Sequence, residues 1–247
     1  MQWHDDALVL GTRRHGESGV VLEVLTRHHG RHLGLVRSGR SRRMQPVLQP
    51  GNAVEVTWRA RLDEHLGQFS VEPVTLRAAA LMESPLATSG VQLFASLIRL
   101  LPERDPHETF FVAGEVILGS LPDPALSGEL MIRLELELLN NLGFGLDLSA
   151  CAATGSRESL VYVSPKSGRA VSRDAGEPYR SRLLSLPGFL VDRAQTGSPD
   201  LQDLEKAFEL SGFFLMRSVY EPRGQQVPSD RAQFLKALRR AFEQGAG

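Results

Sequence analysis

The chain has 247 residues, a length typical of one or two domains, and its 42% hydrophobic and 23% charged residues are ordinary for a globular protein. A single cysteine excludes a disulfide framework and indicates a reducing compartment. Asp5 and Asp6 stand where a signal peptide would be positively charged, and no apolar run reaches the ~20 residues that cross a bilayer. We therefore expect a cytoplasmic protein with no membrane partner.

The net charge of −1 conceals an uneven distribution of charge along the chain. Residues 1–61 contain ten Arg and five acidic residues, a balance of +5, whereas residues 62–247 have a balance of −6. A basic N-terminal region joined to an acidic remainder is typical of proteins that bind polyanions.

The first 75 residues show the pattern of short β-strands. The segment Ala53–Arg59 alternates apolar and polar residues, so that Val54, Val56 and Trp58 share one face, as in a half-buried antiparallel strand. Turns that contain glycine separate it from similar segments. We expect a small closed barrel of the OB-fold type over residues 1–79, with strands at Ala7–Leu10, Val20–Leu25, Leu33–Val36, Ala53–Arg59 and Phe69–Val74.

After Pro73 the apolar residues recur at intervals of three and four, which indicates helices. The segment Leu130–Leu142 has a broad apolar surface, as expected of a helix buried within a bundle, and Gly143 ends it. The prediction is an α+β protein with a helical domain over residues 80–247, whose helices lie at 93–101, Phe110–Leu118, Leu130–Leu142, Leu201–Met216 and Arg231–Phe242.

A small insert at residues 148–180 interrupts the helical pattern and is predicted to form a knuckle followed by a β-hairpin. Cys151 and Thr154 have the spacing of a pair of zinc ligands, and Ser172 and Ala175 would form the matching pair. Hydroxyl and methyl groups cannot replace thiolate or imidazole ligands. We therefore expect an insert that binds no zinc and is held by packing and hydrogen bonds.

The segment 37–43 holds four arginines interleaved with serine and glycine, a composition that predicts a mobile basic loop. Guanidinium groups form strong contacts with phosphates, and serine hydroxyls add neutral donors. A solvated charged loop without a partner is the alternative. We predict a nucleic-acid-binding surface made of this loop and of neighbouring arginines in strands and turns: Arg27, Arg31, Arg37, Arg40, Arg42, Arg43, Arg59 and Arg61.

Three aromatic residues near this loop are candidates for stacking on bases, namely Trp3, Trp58 and Phe69. Trp58 shares its face with two valines and is predicted to lie in the core, whereas Trp3 is either exposed or closes one end of the barrel. A poor supply of exposed aromatic rings favours binding through the phosphate backbone, without a sequence preference.

Three histidines, His28, His29 and His32, lie close together in an apparent turn between two strands. Their side chains need not converge, no cysteine lies nearby, and Glu23 is the only close carboxylate in the sequence, so we expect a polar turn rather than a metal site. Partial protonation of these histidines would add positive charge at mildly acidic pH.

Catalytic motifs are missing from the sequence. Lys166, Lys206 and Lys236 do not follow a glycine, which excludes a phosphate-binding loop, and neither a GxSxG nor an HExxH motif is present. Ser164 and Lys166 have the spacing of some Ser–Lys catalytic pairs but adjoin the predicted hairpin turn. We expect a binding protein, not an enzyme, with no cofactor.

Several short segments, taken together in their order and spacing, resemble the RecO family of bacterial recombination mediators. They cover essentially the whole chain: Ala7–Leu10, Gly16–Ser18, Leu25–Thr26, His29–Arg31, residues 37–43, Leu48–Gly51, Leu134–Leu136 through Gly143–Phe144 to Cys151, Phe208–Arg217 and Pro228–Leu238. The resemblance implies an N-terminal OB-fold, a helical domain and a zinc-ribbon-like insert. Some members carry four cysteines in the insert, and because only Cys151 is retained here, zinc is not carried over.

The resemblance also implies a function in DNA repair and homologous recombination. A RecO-like protein would bind single- and double-stranded DNA, anneal complementary strands, and act with RecR to load RecA onto DNA covered by single-strand-binding protein. It would contact the acidic, apolar C-terminal tail of single-strand-binding protein, for which Phe213, Phe214 and Arg217 form a candidate site unless both phenylalanines are core residues. Its expected location is the cytoplasm, in association with the nucleoid.

Two other functions are compatible with the same residues. An OB-fold RNA-binding or adaptor protein is the main alternative, because barrels of this type serve both DNA and RNA. A hydrolase that uses Ser164 and Lys166 is the second.

Overall fold

The computed structural model describes residues 1–191 and 197–245. The chain divides into two units, Met1–Pro122 and Asp123–Gly247. The first unit is built on a β-sheet and the second mainly on helices, so the chain has the α+β class that the sequence predicts. Within the described residues, no helix combines the length and the apolar character that a membrane span requires.

All five strands predicted in the first unit are present: Gln2–His15 (β1), Gly19–Thr26 (β2), Arg31–Val36 (β3), Ala53–Arg59 (β4) and Gln68–Thr75 (β5). They form a closed barrel in the order β1-β2-β3-β5-β4. β3 and β5 pair in parallel, and the other neighbours pair in antiparallel fashion. Closure leaves this sheet without a free edge.

The first strand is much longer than predicted because it pairs with two neighbours. The segment Gln2–Leu8 pairs with β4, and the segment Ala7–His15 pairs with β2. The register shifts between Val9 and Gly11, and a β-bulge of this kind bends a strand from one neighbour towards another. The second half of β1 therefore carries residues well beyond the predicted end of the strand.

The barrel core confirms the alternation predicted for β4. Val54, Val56 and Trp58 are buried, and the Trp58 side chain is fully enclosed with its indole N–H donating to the Leu66 carbonyl at 3.0 Å. Gly67 follows with a φ of +66°, and a Cβ there would lie 2.3 Å from the Trp58 Nε1. Both the backbone angle and the close approach of the indole therefore require glycine at this position.

Three helices complete the first unit: Ala78–Met82 (α1), Pro85–Ile98 (α2) and Glu108–Ser120 (α3). The Ser84 hydroxyl caps α2 by accepting from the Ala87 N–H at 3.2 Å, and Pro85 occupies the first turn, as is common at helix starts. Leu93 and Leu97, which predicted this helix, are buried.

The second unit contains the helices Pro124–Asn141 (α4), Arg173–Gly176 (α5), Leu201–Leu215 (α6) and Ser229–Gly245 (α7). Short 3₁₀ segments lie at Glu177–Arg182, Gly188–Leu190 and Glu221–Arg223, and α6 continues into a π-helical segment at Met216–Tyr220. As predicted, α4 is buried over a wide surface, because Met131, Ile132, Leu134, Leu138 and Leu139 are all enclosed.

A buried ion pair joins the longer helices of the second unit. The Glu135 side chain of α4 is fully buried, and the Arg231 guanidinium of α7 donates to both of its oxygens at 2.8 and 3.1 Å. The Ser211 hydroxyl of α6 also donates to the Glu135 carboxylate. Burial lowers the pKa of Arg231, but Glu135 more than offsets this and raises the pKa, so the guanidinium stays charged.

The insert and the residues that follow it form a small sheet of three strands, which extends past the predicted end of the insert at residue 180: Leu160–Val163 (β6), Ala170–Ser172 (β7) and Leu184–Ser185 (β8). The pairing of β6 with β7 confirms the predicted hairpin, and β8 pairs with the other edge of β6. The sequence does not predict β8, because two residues are too few to show an alternating pattern.

Candidate nucleic-acid interface

The basic segment 37–43 is anchored rather than open, which corrects the prediction of a mobile loop. Its residues follow β3 as a series of turns. The Arg40 N–H donates to the Ser18 carbonyl at 3.1 Å, and the Ser18 hydroxyl donates to the Arg37 carbonyl at 3.2 Å. Gly39 packs so closely that a Cβ would lie 2.3 Å from the Val20 side chain. Contacts with the β1–β2 turn, which the local composition does not reveal, hold the segment in place.

The arginine side chains of this segment point into solvent. Arg37, Arg40, Arg42 and Arg43 are all exposed. The Arg40 guanidinium donates to the Glu17 carbonyl at 2.6 Å, which does not neutralise its charge. In the part of the chain that the structure describes, the other three guanidinium groups have no hydrogen-bond or ion-pair partner. Four positive charges are therefore available to an anion.

A cleft of about 360 Å³ brings Arg37 together with Arg59, at the end of β4. Gln68 and Ser70 of β5 line the same cleft and supply neutral donors. Arg61 lies directly after β4 and is exposed, with no partner among the described residues. The structure thus places Arg59 beside the basic segment, as predicted, and within the described residues neither Arg59 nor Arg61 forms an ion pair.

The sequence analysis missed two arginines of β1, because the strand was expected to end before them. Arg13 and Arg14 are exposed, and Arg13 stands in a row across the barrel surface with Val21, Leu35, Gln68 and Arg59. Four strand-to-strand steps of about 4.8 Å place Arg13 and Arg59 about 19 Å apart along the sheet. At the axial rise of about 3.4 Å per nucleotide that each strand has in B-form DNA, this distance corresponds to five to six nucleotides of one strand of a duplex.

Two predicted site residues, Arg27 and Arg31, are engaged by carboxylates. Arg27 lies 3.6 Å from Asp6 and 3.5 Å from Glu108, and it covers the ring of Phe111. Arg31 donates to Glu23 at 2.9 Å and is largely buried. A phosphate contact by either residue would require the exchange of an acidic partner, so their role in binding stays a prediction.

The aromatic side chains near the barrel end pack against one another. Trp58 and Phe69 are buried, which confirms the core assignment of Trp58. The ring of Trp3 is half-buried between His29, at 4.1 Å, and Trp58, at 5.6 Å, and so closes one end of the barrel. Neither buried ring is free to stack on a base.

The histidines bind an acidic residue that the sequence analysis did not pair with them. The Nδ1 atoms of His28 and His29 each lie 2.9 Å from the carboxylate of Asp5, whose side chain is buried. Asp5, not Glu23, is therefore the carboxylate of this turn, and β1 supplies it from a distant part of the sequence. Burial lowers the pKa of His32 to about 4, so the expectation that His32 adds charge at mildly acidic pH is wrong.

The insert brings Cys151, Thr154 and Ser172 together. The Cys151 thiol is buried, and its Sγ accepts from the Ser172 N–H at 3.2 Å and lies 3.3 Å from the Ser172 hydroxyl. Burial raises the pKa of Cys151, but hydrogen bonds from Ser172 and Thr154 outweigh it and lower the pKa to about 6. Among the described residues, no group of three or more potential metal ligands is arranged to hold an ion.

The candidate partner site on α6 is divided between surface and core. Phe213 is 38% exposed, whereas Phe214 is buried and meets Phe213 edge to face. Arg217 is exposed and donates to the carbonyl of Pro165. Phe214 is thus a core residue, and only Phe213 and Arg217 present an apolar surface beside a cation.

A closed barrel that exposes several unpaired arginines is the arrangement typical of proteins that bind a polyanion. Comparison with known families identifies the particular group. The N-terminal model of recombination protein O matches residues 1–77, and the C-terminal model matches residues 82–226. The chain therefore belongs to the recombination protein O (RecO) family.

Curated relatives extend this similarity over nearly the whole chain. A protein of Rhizobium etli named DNA repair protein RecO is 62% identical over 242 residues, 98% of this chain and 94% of the relative. Proteins of the same name from Sinorhizobium medicae and Methylorubrum extorquens are 61% and 59% identical. They cover 98% and 95% of this chain, and 98% and 97% of their own lengths.

Proposed function

We propose that the protein is a DNA-binding recombination mediator of DNA repair, and a binding protein rather than an enzyme. The observation that carries this proposal is a set of exposed arginines on the barrel and its basic segment that have no hydrogen-bond or ion-pair partner among residues 1–191 and 197–245: Arg13, Arg14, Arg37, Arg42, Arg43, Arg59 and Arg61. Membership of the RecO family and the printed name of the relatives support it. Because Trp58 and Phe69 are buried in the barrel and Trp3 is half-buried against His29 and Trp58, we expect contacts with phosphates and no reading of bases.

Residues 1–79 would serve as an OB-fold domain that binds single- and double-stranded DNA, and residues 80–247 as a helical domain. Residues 148–180 would be a zinc-ribbon-like insert that has lost its zinc ligands, and the convergence of Cys151 with Thr154 and Ser172 supports this. The proposed location is the cytoplasm, in association with the nucleoid.

Strand annealing follows from phosphate neutralisation. Two complementary strands repel each other through their phosphates, and arginines that shield both backbones allow them to approach. Base pairing then supplies the sequence discrimination, which the protein does not need to provide. The row from Arg13 to Arg59 is as long as five or six nucleotides of one strand in a B-form duplex, which is the product of annealing.

The salt dependence of DNA binding tests this proposal directly. If about five phosphates are contacted, log K for a single strand should fall with log salt at a slope of about −3.5. Replacing Arg40, Arg42 and Arg43 with Ala should flatten the slope to about −1.4, because three contacts are lost. Fluorescence anisotropy with a 20-nucleotide oligo-dT, between 50 and 300 mM salt as a rough range, measures both slopes.

A matched control removes three exposed arginines of the second unit, Arg157, Arg173 and Arg182, and should leave the slope unchanged. The triple Ala variant of Arg40, Arg42 and Arg43 should anneal two labelled complementary oligonucleotides more slowly than the wild type, and the control variant should anneal them at the rate of the wild type. If the first variant binds and anneals like the wild type, the basic segment is not the DNA-binding surface.

We further propose that the protein acts with RecR to load RecA onto DNA covered by single-strand-binding protein. For the acidic, apolar tail of single-strand-binding protein, the exposed pair Phe213 and Arg217 offers an apolar surface beside a cation. Phe213→Ala and Arg217→Ala should each weaken binding of a peptide with the sequence of that tail. If both variants bind the tail peptide with unchanged affinity, Phe213 and Arg217 are not the site that binds the tail.

RNA binding is the alternative that the same geometry favours, because contacts with phosphates alone do not distinguish RNA from DNA. Parallel titrations with matched DNA and RNA oligonucleotides decide between the two. A preference for RNA would replace the DNA proposal, and failure to bind either at low salt would favour an adaptor function.

A further inference from the structure

A second cleft on the barrel, away from the basic segment, also contains arginines. It has a volume of about 370 Å³ and is lined by side chains from β1, β2, β3 and the residues after α2. Its charged residues are Arg13, Arg31, Arg99, Glu23 and Glu103, which give it three positive and two negative charges.

The two inner arginines of this cleft converge on the Glu23 carboxylate, and Arg31 also lies 3.4 Å from the Glu103 carboxylate. Arg31 donates to the Glu23 Oε1 at 2.9 Å, and Arg99 donates through Nε to the Oε2 at 2.9 Å. The Glu23 side chain is only 15% exposed, whereas that of Arg99 is 44% exposed and open to the cleft. Two guanidinium groups that close on a compact anion from two sides are also the arrangement that binds a phosphate group.

The backbone of β1 is shaped to admit Arg99. Gly11 follows the β-bulge, and a Cβ at this position would lie 3.0 Å from the Arg99 Nη2. The same nitrogen lies 3.4 Å from the carbonyl of Leu10. The absence of a side chain at Gly11 lets the guanidinium of Arg99 lie close along the strand.

The outermost arginine of the cleft has no acidic partner. Arg13 is exposed, and in the described chain its guanidinium forms no ion pair or hydrogen bond. Arg13 also begins the row that leads across the barrel to Arg59. The cleft is therefore continuous with the surface proposed above to bind DNA.

We propose that this cleft is an additional phosphate site for the nucleic-acid backbone, in which the Glu23 carboxylate competes with the phosphate for Arg31 and Arg99. The proposal rests on the DNA-binding function proposed above. In the free protein Glu23 occupies the inner arginines. A phosphate that enters between Arg13 and Arg99 must displace or repel this carboxylate, so the site binds the strand weakly and releases it readily.

Substitution of Glu23 tests the competition. Glu23→Gln keeps the shape of the side chain and removes its charge. Removing one negative charge about 6 Å from a phosphate, in a water-like dielectric, raises affinity about threefold. The salt slope for the 20-nucleotide oligo-dT should also steepen by about 0.7, because one more phosphate is neutralised. Glu83→Gln removes the same charge from an exposed position of the same unit and should change neither quantity.

Arg13→Ala provides a second test of the cleft, which is needed if Glu23→Gln destabilises the fold and lowers the melting temperature. Among the described residues the Arg13 guanidinium forms no hydrogen bond or ion pair, so Arg13→Ala should fold normally, weaken binding and flatten the slope by about 0.7. The double variant Arg13→Ala/Glu23→Gln should not show the increase in DNA affinity expected of Glu23→Gln alone. The cleft is excluded if Glu23→Gln behaves like Glu83→Gln, or if Arg13→Ala binds like the wild type. If the cleft variants fail these tests while the triple Ala variant of the basic segment still flattens the slope, only the cleft is excluded. If the wild type does not bind the oligonucleotide at low salt, the proposed function fails as well.

Discussion

Replacement of Arg231 tests whether the buried ion pair holds the C-terminal helix on the second unit. Arg231→Met would leave the Glu135 carboxylate fully buried without its cation, and only the hydroxyl of Ser211 would remain as a donor. Breaking a buried pair in this way costs about 3–5 kcal/mol. With a urea dependence of about 1–3 kcal/mol per molar, the midpoint of unfolding should fall by about 1–5 M.

The double variant Glu135→Met/Arg231→Met should be more stable than Arg231→Met alone. Replacing both partners with apolar side chains of similar size is often neutral or stabilising by about 1–4 kcal/mol, because no buried charge is left without a partner. Arg240→Met, on the exposed surface of the same helix, is the matched control and should be close to the wild type.

Urea unfolding followed by circular dichroism at a helical wavelength measures these changes. Trp3 and Trp58 both lie in the first unit, so tryptophan fluorescence reports the barrel separately and should show an unchanged transition. The reasoning is refuted if the double variant is as unstable as Arg231→Met, because the loss would then come from packing of the Arg231 side chain and not from the unpaired carboxylate.

Two further predictions concern single side chains. Gly67→Ala should destabilise the barrel by about 1–3 kcal/mol more than Gly16→Ala, because both glycines have a positive φ but only the new Cβ at position 67 meets the indole of Trp58. Urea unfolding followed by tryptophan fluorescence measures the difference, and equal losses would contradict the predicted clash. The Cys151 pKa is lowered from 9.0 to about 6, so the thiolate contributes stability that is complete above pH 9 and is lost as the pH falls through 6. The stability of the wild type relative to Cys151→Ala should therefore increase between pH 6 and pH 9, and a constant difference across this range would show that Cys151 does not titrate as stated.

Secondary structure and burial are predicted best where the apolar pattern of a single helix or strand is complete within its own residues. The alternation from Val54 to Trp58 predicts both the strand and its buried face, because successive side chains of a strand point to opposite sides. The broad apolar surface of Leu130–Leu142 likewise predicts a helix enclosed by others. In both cases the local pattern and the tertiary contacts agree.

Features that depend on contacts between distant residues escape the sequence analysis. Asp5 binds two histidines more than twenty residues away, and Glu135 and Arg231 are separated by 96 positions. No spacing rule connects such pairs. For the same reason the composition of residues 1–61 predicts a basic surface, but cannot show that carboxylates engage Arg27 and Arg31 while Arg13 stays unpaired among the described residues.

The anchoring of the basic segment to the β1–β2 turn has a kinetic consequence. A disordered segment must fold as it binds, and ordering each residue opposes association by about 1–2 kcal/mol of backbone entropy. Here the hydrogen bonds between Ser18, Arg37 and Arg40 already fix the main chain. If the basic segment binds DNA as proposed, a strand meets a preorganised surface whose charge attracts it from a distance, and capture can proceed at a rate set by diffusion and ionic strength.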